Sequence, residues 1–481
     1  MEFPIGLFFD IFGKYLLENA LKQIPDLGSS PSKLANAIIT HKDFKEINKE
    51  RLLRDEQYFR SIIGEIQTIE ADVRHAIESV LHDHENIQRI QTYILNDRFV
   101  REQMQLTEAT NRLNFLILGH KQAGKTIFLT RLMYSLTKHP GIGILMDEKD
   151  IWDKSDRSER FERYRKYLQE ITHLNEDLNA SKLPPATTKK APAYIDMDFY
   201  ELNWHTTLKF FDYAGVNLEK VTDFNELLKG EAIDGVIVVL DTYRLLAPTF
   251  RETLYKNGTL NRDEHGKKYN HLMNRILIEE AELDQGLDLL FRFAVSDKKK
   301  SMPVAFVITK FDGFENYALN ENSVKEMLHE PVGNLALRVF KRKRDPIAIC
   351  LTTAFGDSTF KYEENGELKI DDVHTALPAL TPKGAFPFEK YRNIRLPFFF
   401  LIESHIQRKI KEAKELFFQC HKELGFIKRF QYGDQIQNII TVLDKESKNW
   451  KVDTLTDNNF LMIPQGHTDP ENLLNSFFLM K

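Results

Sequence analysis

The chain has 481 residues and a formal net charge of −5, with 42% hydrophobic and 28% charged residues. This balance is typical of a soluble globular protein of about two to four domains, and an acidic chain is not expected to bind nucleic acid. Its two cysteines, Cys350 and Cys420, cannot form a disulfide framework, so we expect a reducing, cytoplasmic compartment. The N-terminus has no basic leader, and apolar runs such as residues 396–402 are far shorter than a membrane span. We therefore expect neither a signal peptide nor a transmembrane helix.

Residues 1–110 are predicted to form a helical N-terminal region. Apolar residues recur at helical spacing in the first segment, which Gly13 is expected to interrupt, and a stripe across residues 59–80 predicts one longer helix. Such a stripe is typical of a bundle core, although a heptad-like seam could instead serve self-association or a protein partner. The first segment has few basic residues, so packing on the chain's own core is favoured over contact with a membrane surface.

The stretch Gly119–Thr126, with the sequence GHKQAGKT, has the spacing of a phosphate-binding loop. Residues 115–118 before it predict a buried strand, and residues 127–136 after it predict a helix. Glycines let successive backbone N–H groups point at phosphate oxygens, and the helix start adds its positive dipole end. Lys125 is expected to neutralise the outer phosphates, and the Thr126 hydroxyl to bind Mg²⁺. The remaining residues that line the loop are His120, Lys121, Gln122, Ala123 and Gly124.

A charged insertion at about 147–182 is followed by two strands, at 194–200 and 207–211, that form a predicted hairpin. The second strand leads directly into Asp212, and Gly215 follows three residues later. An Asp at the end of a buried strand beside a phosphate loop can hold a Mg²⁺-bound water, and the Gly215 N–H can reach a terminal phosphate.

Two further strands end in polar residues. The strand at 236–240 ends at Asp241 and precedes an insertion at about 245–300, and the strand at 303–308 leads into Thr309, Lys310 and, two residues later, Asp312. Guanine presents N1–H and an exocyclic amine that one carboxylate can accept together, so Asp312 is expected to read the base while the Lys310 stem covers its face. A last strand, at 347–351, leads into Thr352.

The residues that follow Thr352 are Thr353 and Ala354, and a backbone N–H there is expected to meet the guanine oxygen. The phosphate loop, the Asp212–Gly215 motif, the Thr309–Asp312 motif and this Thr-Thr-Ala segment, each at a strand end and in this order, resemble the guanine-nucleotide motifs of the small-GTPase-like P-loop GTPases of the TRAFAC class. The resemblance covers roughly residues 111–425. It implies an α/β fold with a mainly parallel sheet, helices on both faces and one antiparallel strand.

Residues 184–188, Pro-Pro-Ala-Thr-Thr, are similar to the first switch segment of some divergent bacterial GTPases, including the double-GTPase families of bacterial conflict systems. By this similarity, either Thr187 or Thr188 supplies a hydroxyl to Mg²⁺ and the terminal phosphate. The sequence departs from the family where Val216 replaces the water-orienting Gln and where Lys121 and Gln122 replace small loop residues.

These features predict a Mg²⁺-dependent protein that binds GTP and GDP and is a slow GTPase, acting as a nucleotide-controlled switch. Two alternatives stay open: a dynamin-like mechanochemical GTPase, for which the helical flanks are the only indication, and a nucleotide-bound scaffold that does not hydrolyse GTP. The rest of the chain is predicted to be accessory. It comprises an insertion at about 358–390 with a hairpin around Asn365 and Gly366, a helix at 396–418, and a C-terminal extension at 426–481 with an irregular apolar tail.

Overall fold

The structure of the chain is a computed structural model that describes residues 5–101 with short gaps, then 112–119, 123–137, 142–143, 193–199, 204–212, 233–242, 302–311, 321–343, 345–353, 358–360, 380–382, 393–423 and 458–479, with a few residues between these ranges. The chain divides into two compact units. The first contains Met1–Arg112, Glu201–Trp204 and Ile406–Trp450, and the second contains Leu113–Tyr200, His205–His405 and Lys451–Lys481. The predicted insertions at 147–182 and 245–300 lie almost entirely outside the described residues. Within the described part, no helix combines the length and the apolarity needed to cross a membrane.

Six helices have defined bounds in the described N-terminal part of the first unit: α1 (Ile5–Leu21), α2 (Pro31–Thr40), α3 (Lys49–Arg54), α4 (Glu56–Gly64), α5 (Ala71–His82) and α6 (His84–Asn96). α1 packs against α2 and α6, and α5 packs against α2, α4 and α6. Buried apolar side chains three and four residues apart line these helices: Leu17, Ala20, Leu21, Leu34, Ile38, Val73, Ile77, Val80, Ile87, Ile90 and Ile94. Burying a large aliphatic side chain stabilises the fold by roughly 1.5–3 kcal/mol, so these stripes hold the helices together.

Two helix predictions in this unit are wrong. α1 runs through Gly13 without a break, because one glycine costs a helix only about 1 kcal/mol and the packing of α1 on its neighbours offsets that cost. The single helix predicted across residues 59–80 is two helices, α4 and α5, with the first ending at Gly64. The Nη1 atom of Arg60 donates a hydrogen bond to the Leu81 carbonyl oxygen at 2.5 Å, whereas one straight helix would separate these residues by roughly 30 Å. α5 therefore folds back beside α4.

Polar side chains cap the N-termini of α3, α4 and α6. Asp55 precedes α4 and accepts a hydrogen bond from the Tyr58 backbone N–H at 3.0 Å, and Asn48 caps α3 in the same way. The hydrogen bond from Tyr58 is the main cause that holds the pKa of Asp55 below its ordinary value. A side-chain hydrogen bond from Lys33 likewise lowers the pKa of Asp72 in the first turn of α5. The ionised form of each carboxylate is thus the one that stabilises the folded helices.

The second unit is built on an eight-stranded sheet with the order β10-β7-β6-β5-β1-β4-β3-β2. Its strands are β1 (Arg112–Gly119), β2 (Ile142–Gly143), β3 (Ala193–Phe199), β4 (Trp204–Asp212), β5 (Gly235–Asp241), β6 (Val304–Thr309), β7 (Ile347–Leu351) and β10 (Phe460–Ile463), while β8 (Ser358–Phe360) and β9 (Leu380–Pro382) form a separate pair. β1, β5, β6 and β7 are parallel neighbours, whereas β10 is antiparallel to β7 and β2 to β3. The unit is therefore α/β with a mainly parallel sheet, as the sequence predicted.

Helices cover both faces of the parallel strands. The α-helices with defined bounds are α7 (Lys125–Thr137), α8 (Glu321–Leu328), α9 (Asn334–Lys343), α10 (Leu396–Glu423), which belongs to this unit as far as His405, and α11 (Pro470–Leu479). α10 confirms the helix predicted at 396–418. Leu116, Val236 and Phe306 on one face share a core with α8, α9 and α11. Phe115 on the opposite face meets Phe398 of α10 edge to face, with ring centroids 6.2 Å apart. Because these strands are buried on both faces, their sequences are continuous apolar runs and do not alternate with polar residues.

The C-terminal residues, predicted to be an irregular extension, contribute a strand and a helix to the second unit. β10 lies antiparallel to β7, with Phe460 beside Cys350, and α11 buries Leu474 and Phe478 in the core beneath the sheet. The prediction was wrong because β10 is very short and its partner strand is distant in the chain. The helical run predicted near residues 436–443 lies mostly outside the described residues.

The strands of the hairpin predicted around Asn365 and Gly366 lie mostly outside the described residues. β8 pairs antiparallel with β9, so that Phe360 lies beside Leu380, and the partner of β8 comes from well beyond the predicted turn. Within the predicted turn, Gly366 has a positive φ of +81°.

Candidate functional site

Most of the described site residues gather at one edge of the sheet. β1 ends at Gly119, β5 at Asp241, β6 at Thr309 and β7 at Leu351, and because these strands are parallel their carboxyl ends share that edge. In open α/β sheets, ligands bind in the crevice outside the carboxyl ends of the strands. The described residues among those predicted to bind phosphate and base are therefore brought to the same edge by the strand order β7-β6-β5-β1.

The turn after β1 has no room for a side chain at its first residue. Gly119 has a φ of +151°, and a Cβ atom there would lie 2.3 Å from the carbonyl oxygen of Val239 in β5. Gly124, directly before α7, has a φ of +89°. Both backbone conformations are ones that residues with side chains rarely adopt, so glycine is required at each position. The intervening His120, Lys121 and Gln122 lie outside the described residues.

Lys125 closes this turn. It is the first residue of α7, its side chain is buried, and its Nζ atom donates a hydrogen bond to the Gly119 carbonyl oxygen at 2.8 Å. Thr126 follows as a half-buried residue of the same helical turn. The first N–H groups of a helix have no acceptor within the helix, and the helix dipole favours negative charge at this end. Glycine backbone, ammonium and helix start therefore meet within one short loop.

α7 carries further positive charge behind the loop. Arg131 is fully buried, and burial lowers the pKa of its guanidinium to about 9. Because that value remains above neutral pH, the side chain stays charged in the folded protein. Arg131 follows Lys125 on the helix by roughly 9 Å of axial rise.

Thr309 joins the end of β6 to the loop. Its Oγ1 lies 2.7 Å from the Ala123 carbonyl oxygen and 3.0 Å from the Leu240 carbonyl oxygen, so its single proton is shared between an acceptor in the loop and one in the neighbouring strand. Gly124 lies against the same side chain, since a Cβ built on it would be 3.5 Å from Oγ1 of Thr309. The segment predicted to contact the base is thus fixed directly to the segment predicted to contact phosphate.

Lys310 has a contact that the sequence did not predict. Its Nζ atom lies 2.5 Å from Oδ2 of Asp241, a carboxylate that is only 4% exposed. The neighbouring Thr242 is completely buried, and its hydroxyl donates a hydrogen bond to the Thr309 carbonyl oxygen at 2.5 Å. The sequence offered one signal for this pair of residues, namely an acidic residue directly after a buried strand at the site edge.

The end of β7 adjoins the same turn. The Thr352 backbone N–H donates to the Ile308 carbonyl oxygen at 2.8 Å, and its hydroxyl lies 3.1 Å from that oxygen. Thr353, one of the predicted base contacts, is buried beside it, whereas Ala354 lies outside the described residues. The predicted binding residues on β6 and β7 thus follow two adjacent strands.

The predicted Mg²⁺ and switch residues are described only in part. Asp212 is the last residue of β4, a strand next to β1 in the sheet. Thr187, Thr188, Gly215, Val216 and Asp312 lie outside the described residues, so their roles stay predictions. Within the described part of the chain, no group of three or more histidine, cysteine or acidic side chains forms a metal site.

Comparison with known proteins gives no family for the chain. No protein-family model matches the sequence, and no curated protein matches it. The arrangement of residues at the carboxyl edge of the sheet is therefore the basis for a functional assignment.

Proposed function

We propose that the second unit is a P-loop GTPase domain and that the protein is a Mg²⁺-dependent guanine-nucleotide switch with slow GTP hydrolysis. The observation that carries this proposal is the turn between β1 and α7. Gly119 occupies a position where a Cβ atom would lie 2.3 Å from a backbone oxygen, and the Lys125 ammonium bonds the carbonyl of that same residue. An ordinary strand-to-helix connection requires neither feature.

The turn fits a chain of phosphates in three respects. Its glycines permit the tight curve in which backbone N–H groups converge, and α7 directs its positive end to the same point. Lys125 is held at the mouth of the turn by the Gly119 carbonyl, a neutral acceptor that a phosphate oxygen can replace. We assign Lys125 to the outer phosphates and the backbone of residues 119–124 to the inner ones.

Residues of the types that bind Mg²⁺ lie in the first turn of α7 and at the end of β4. Thr126 is the second residue of α7, and Asp212 ends the strand next to β1, so we assign a hydroxyl and a carboxylate to the ion, with Thr187 or Thr188 as the switch ligand. Bound Mg²⁺ would neutralise charge on the phosphate oxygens. Gly215 is assigned to the terminal phosphate through its backbone N–H.

The base is assigned to the ends of β6 and β7. The Lys310 stem covers its face, Asp312 accepts the two guanine donors, and the backbone near Thr353 and Ala354 meets the guanine oxygen. The support comes from Thr309, whose hydroxyl is 2.7 Å from the Ala123 carbonyl and so fixes the base segment to the phosphate segment. The helical first unit is the part that we expect to respond to the nucleotide state, through a protein partner or a second copy of the chain.

Equilibrium binding of GDP with Mg²⁺ to Lys125→Ala and Thr126→Ala tests the proposal. Losing one charge-assisted hydrogen bond costs about 1.5–3 kcal/mol, so Lys125→Ala should bind GDP roughly 10- to 100-fold more weakly. Thr126→Ala should mainly raise the Mg²⁺ concentration required for binding. Lys341→Ala is a matched control, because that lysine is exposed and pairs with Glu471 on α11. Unchanged affinity for GDP and Mg²⁺ in both site variants would remove the assignment.

A further inference from the structure

Two neighbouring residues at the end of β5 hold two neighbouring residues at the end of β6. Asp241 bonds the Lys310 side chain, and Thr242 bonds the Thr309 carbonyl. The strand register supports both contacts, because Asp241 lies directly beside Thr309 in the parallel ladder. The turn after β6 is therefore fixed from β5 through its backbone and through its side chain.

The backbone of this turn is in an uncommon conformation. Lys310 has a φ of +59°, and the only other non-glycine residue with a positive φ in the described part of the chain is Asn393. Asparagine adopts this left-handed conformation readily, whereas lysine does so rarely. Such a conformation persists when the surrounding contacts determine it, and it occurs often at ligand-binding sites. Asp241 and Thr242 both contact this turn, through the Lys310 ammonium and the Thr309 carbonyl oxygen respectively.

The Lys310 side chain is fixed at both ends and still reachable. Its backbone end belongs to the held turn, its ammonium meets a carboxylate that is 4% exposed, and 35% of the lysine side-chain surface remains exposed. A lysine tethered in this way presents its methylene stem as an apolar surface of fixed direction. A free lysine would have to give up rotamer freedom before it could cover a ligand ring.

We propose that Asp241 is a positioning residue for the nucleobase, which holds Lys310 so that the lysine stem packs on the face of the guanine ring. This inference rests on the proposed function and deepens it, because it names how the base site is preorganised. Asp241 itself touches no ligand. It acts through Lys310, so its loss should weaken the contribution of the base to binding and should leave the contribution of the phosphates unchanged.

The test compares two ligands that share the phosphates and differ in the base: GDP and inorganic pyrophosphate. Dissociation constants are measured by calorimetry for wild type and for Asp241→Asn, which keeps the side-chain shape and removes the charge. GDP should bind at least tenfold more weakly to the variant, while pyrophosphate affinity should change less than twofold. Lys310→Met, which keeps an apolar stem and removes the ammonium, should give the same pattern. The double variant should be no weaker than either single variant, because both remove one tether.

A matched control separates positioning from general loss of stability. Asp234 lies directly before β5, is also buried, and accepts a hydrogen bond from the Asn114 backbone N–H at 3.0 Å. Asp234→Asn should lower the melting temperature without changing the ratio of GDP to pyrophosphate affinity. If Asp241→Asn fails to fold, Lys310→Met carries the test alone, since this lysine is partly exposed.

The outcomes distinguish this inference from the proposed function. If wild type binds GDP, and Asp241→Asn and Lys310→Met both keep the wild-type ratio of GDP affinity to pyrophosphate affinity, only the role of Asp241 is overturned. Wild type that fails to bind GDP would overturn the proposed function and this inference with it. A lowered ratio in both variants, with Asp234→Asn unchanged, is the result that we expect.

Discussion

Gly119→Ala probes the steric constraint at the start of the proposed phosphate loop. The added methyl would lie 2.3 Å from the Val239 carbonyl oxygen, whereas close carbon–oxygen contacts are normally about 3.3–3.6 Å, so roughly 1 Å of displacement is required. Val239 cannot move easily, because it is fully buried and pairs with β1 on one side and β6 on the other. Overpacking costs about 1–3 kcal/mol, and a side chain at this φ adds about 1–3 kcal/mol.

Gly366→Ala is the matched control for this substitution. Gly366 also has a positive φ, but a Cβ atom there meets nothing within 4 Å. Only the conformational cost of about 1–2 kcal/mol applies, so Gly119→Ala should destabilise the second unit more than Gly366→Ala by the overpacking cost of about 1–3 kcal/mol. Hydrogen exchange of β5 amides in increasing urea measures the free energy of unfolding of the second unit by itself. A thermal melt of the whole chain does not, because the chain has two units. Equal destabilisation by the two variants would refute the steric argument.

The remaining predictions concern pH, the switch segment and hydrolysis. Folding lowers the pKa values of Asp55 and Asp72, so the stability that these carboxylates give the first unit is present above their unfolded pKa values and is lost as pH falls through their folded ones. In Asp55→Asn, stability measured by circular dichroism should therefore fall less steeply at acid pH than in wild type. An equally steep fall in the variant would contradict this. Residues 180–195 should exchange hydrogen more slowly with a non-hydrolysable GTP analogue than with GDP, and equal protection would count against a switch there. The intrinsic rate of GTP hydrolysis should be slow and should rise with protein concentration or on addition of a partner, because Val216 cannot orient water. Single-turnover hydrolysis that is fast at all protein concentrations and is no faster in Val216→Gln would show that the catalytic group is already present in the chain.

Local sequence patterns were sufficient for the central strands and for the loop. β1, β5, β6 and β7 were predicted within a few residues, because strands buried on both faces are short apolar runs that end in polar residues. Gly119 and Lys125 were identified because the spacing of a phosphate loop is fixed by the backbone curve that it requires. Both signals lie within about ten residues of chain, so no tertiary information was needed.

Features that depend on partners distant in the chain were not predicted. The break after Gly64 was missed because the apolar stripe continues into the next helix, although α5 turns back to pack on α4. β10 was missed because four residues give little pattern and their burial depends on β7. The pairing of Asp241 with Lys310 was missed for the same reason, since the two residues meet only when β5 and β6 are neighbours.

The guanine-nucleotide assignment is tested most directly by competition of GDP, ADP and xanthosine diphosphate for wild type and Asp312→Asn. One carboxylate that accepts two guanine donors should favour GDP over ADP in wild type by at least roughly 100-fold, given about 1.5–3 kcal/mol for each charge-assisted hydrogen bond. The amide of the variant offers one donor and one acceptor, so its preference should shift from GDP toward xanthosine diphosphate. ADP that competes as well as GDP for the wild-type protein would contradict the assignment.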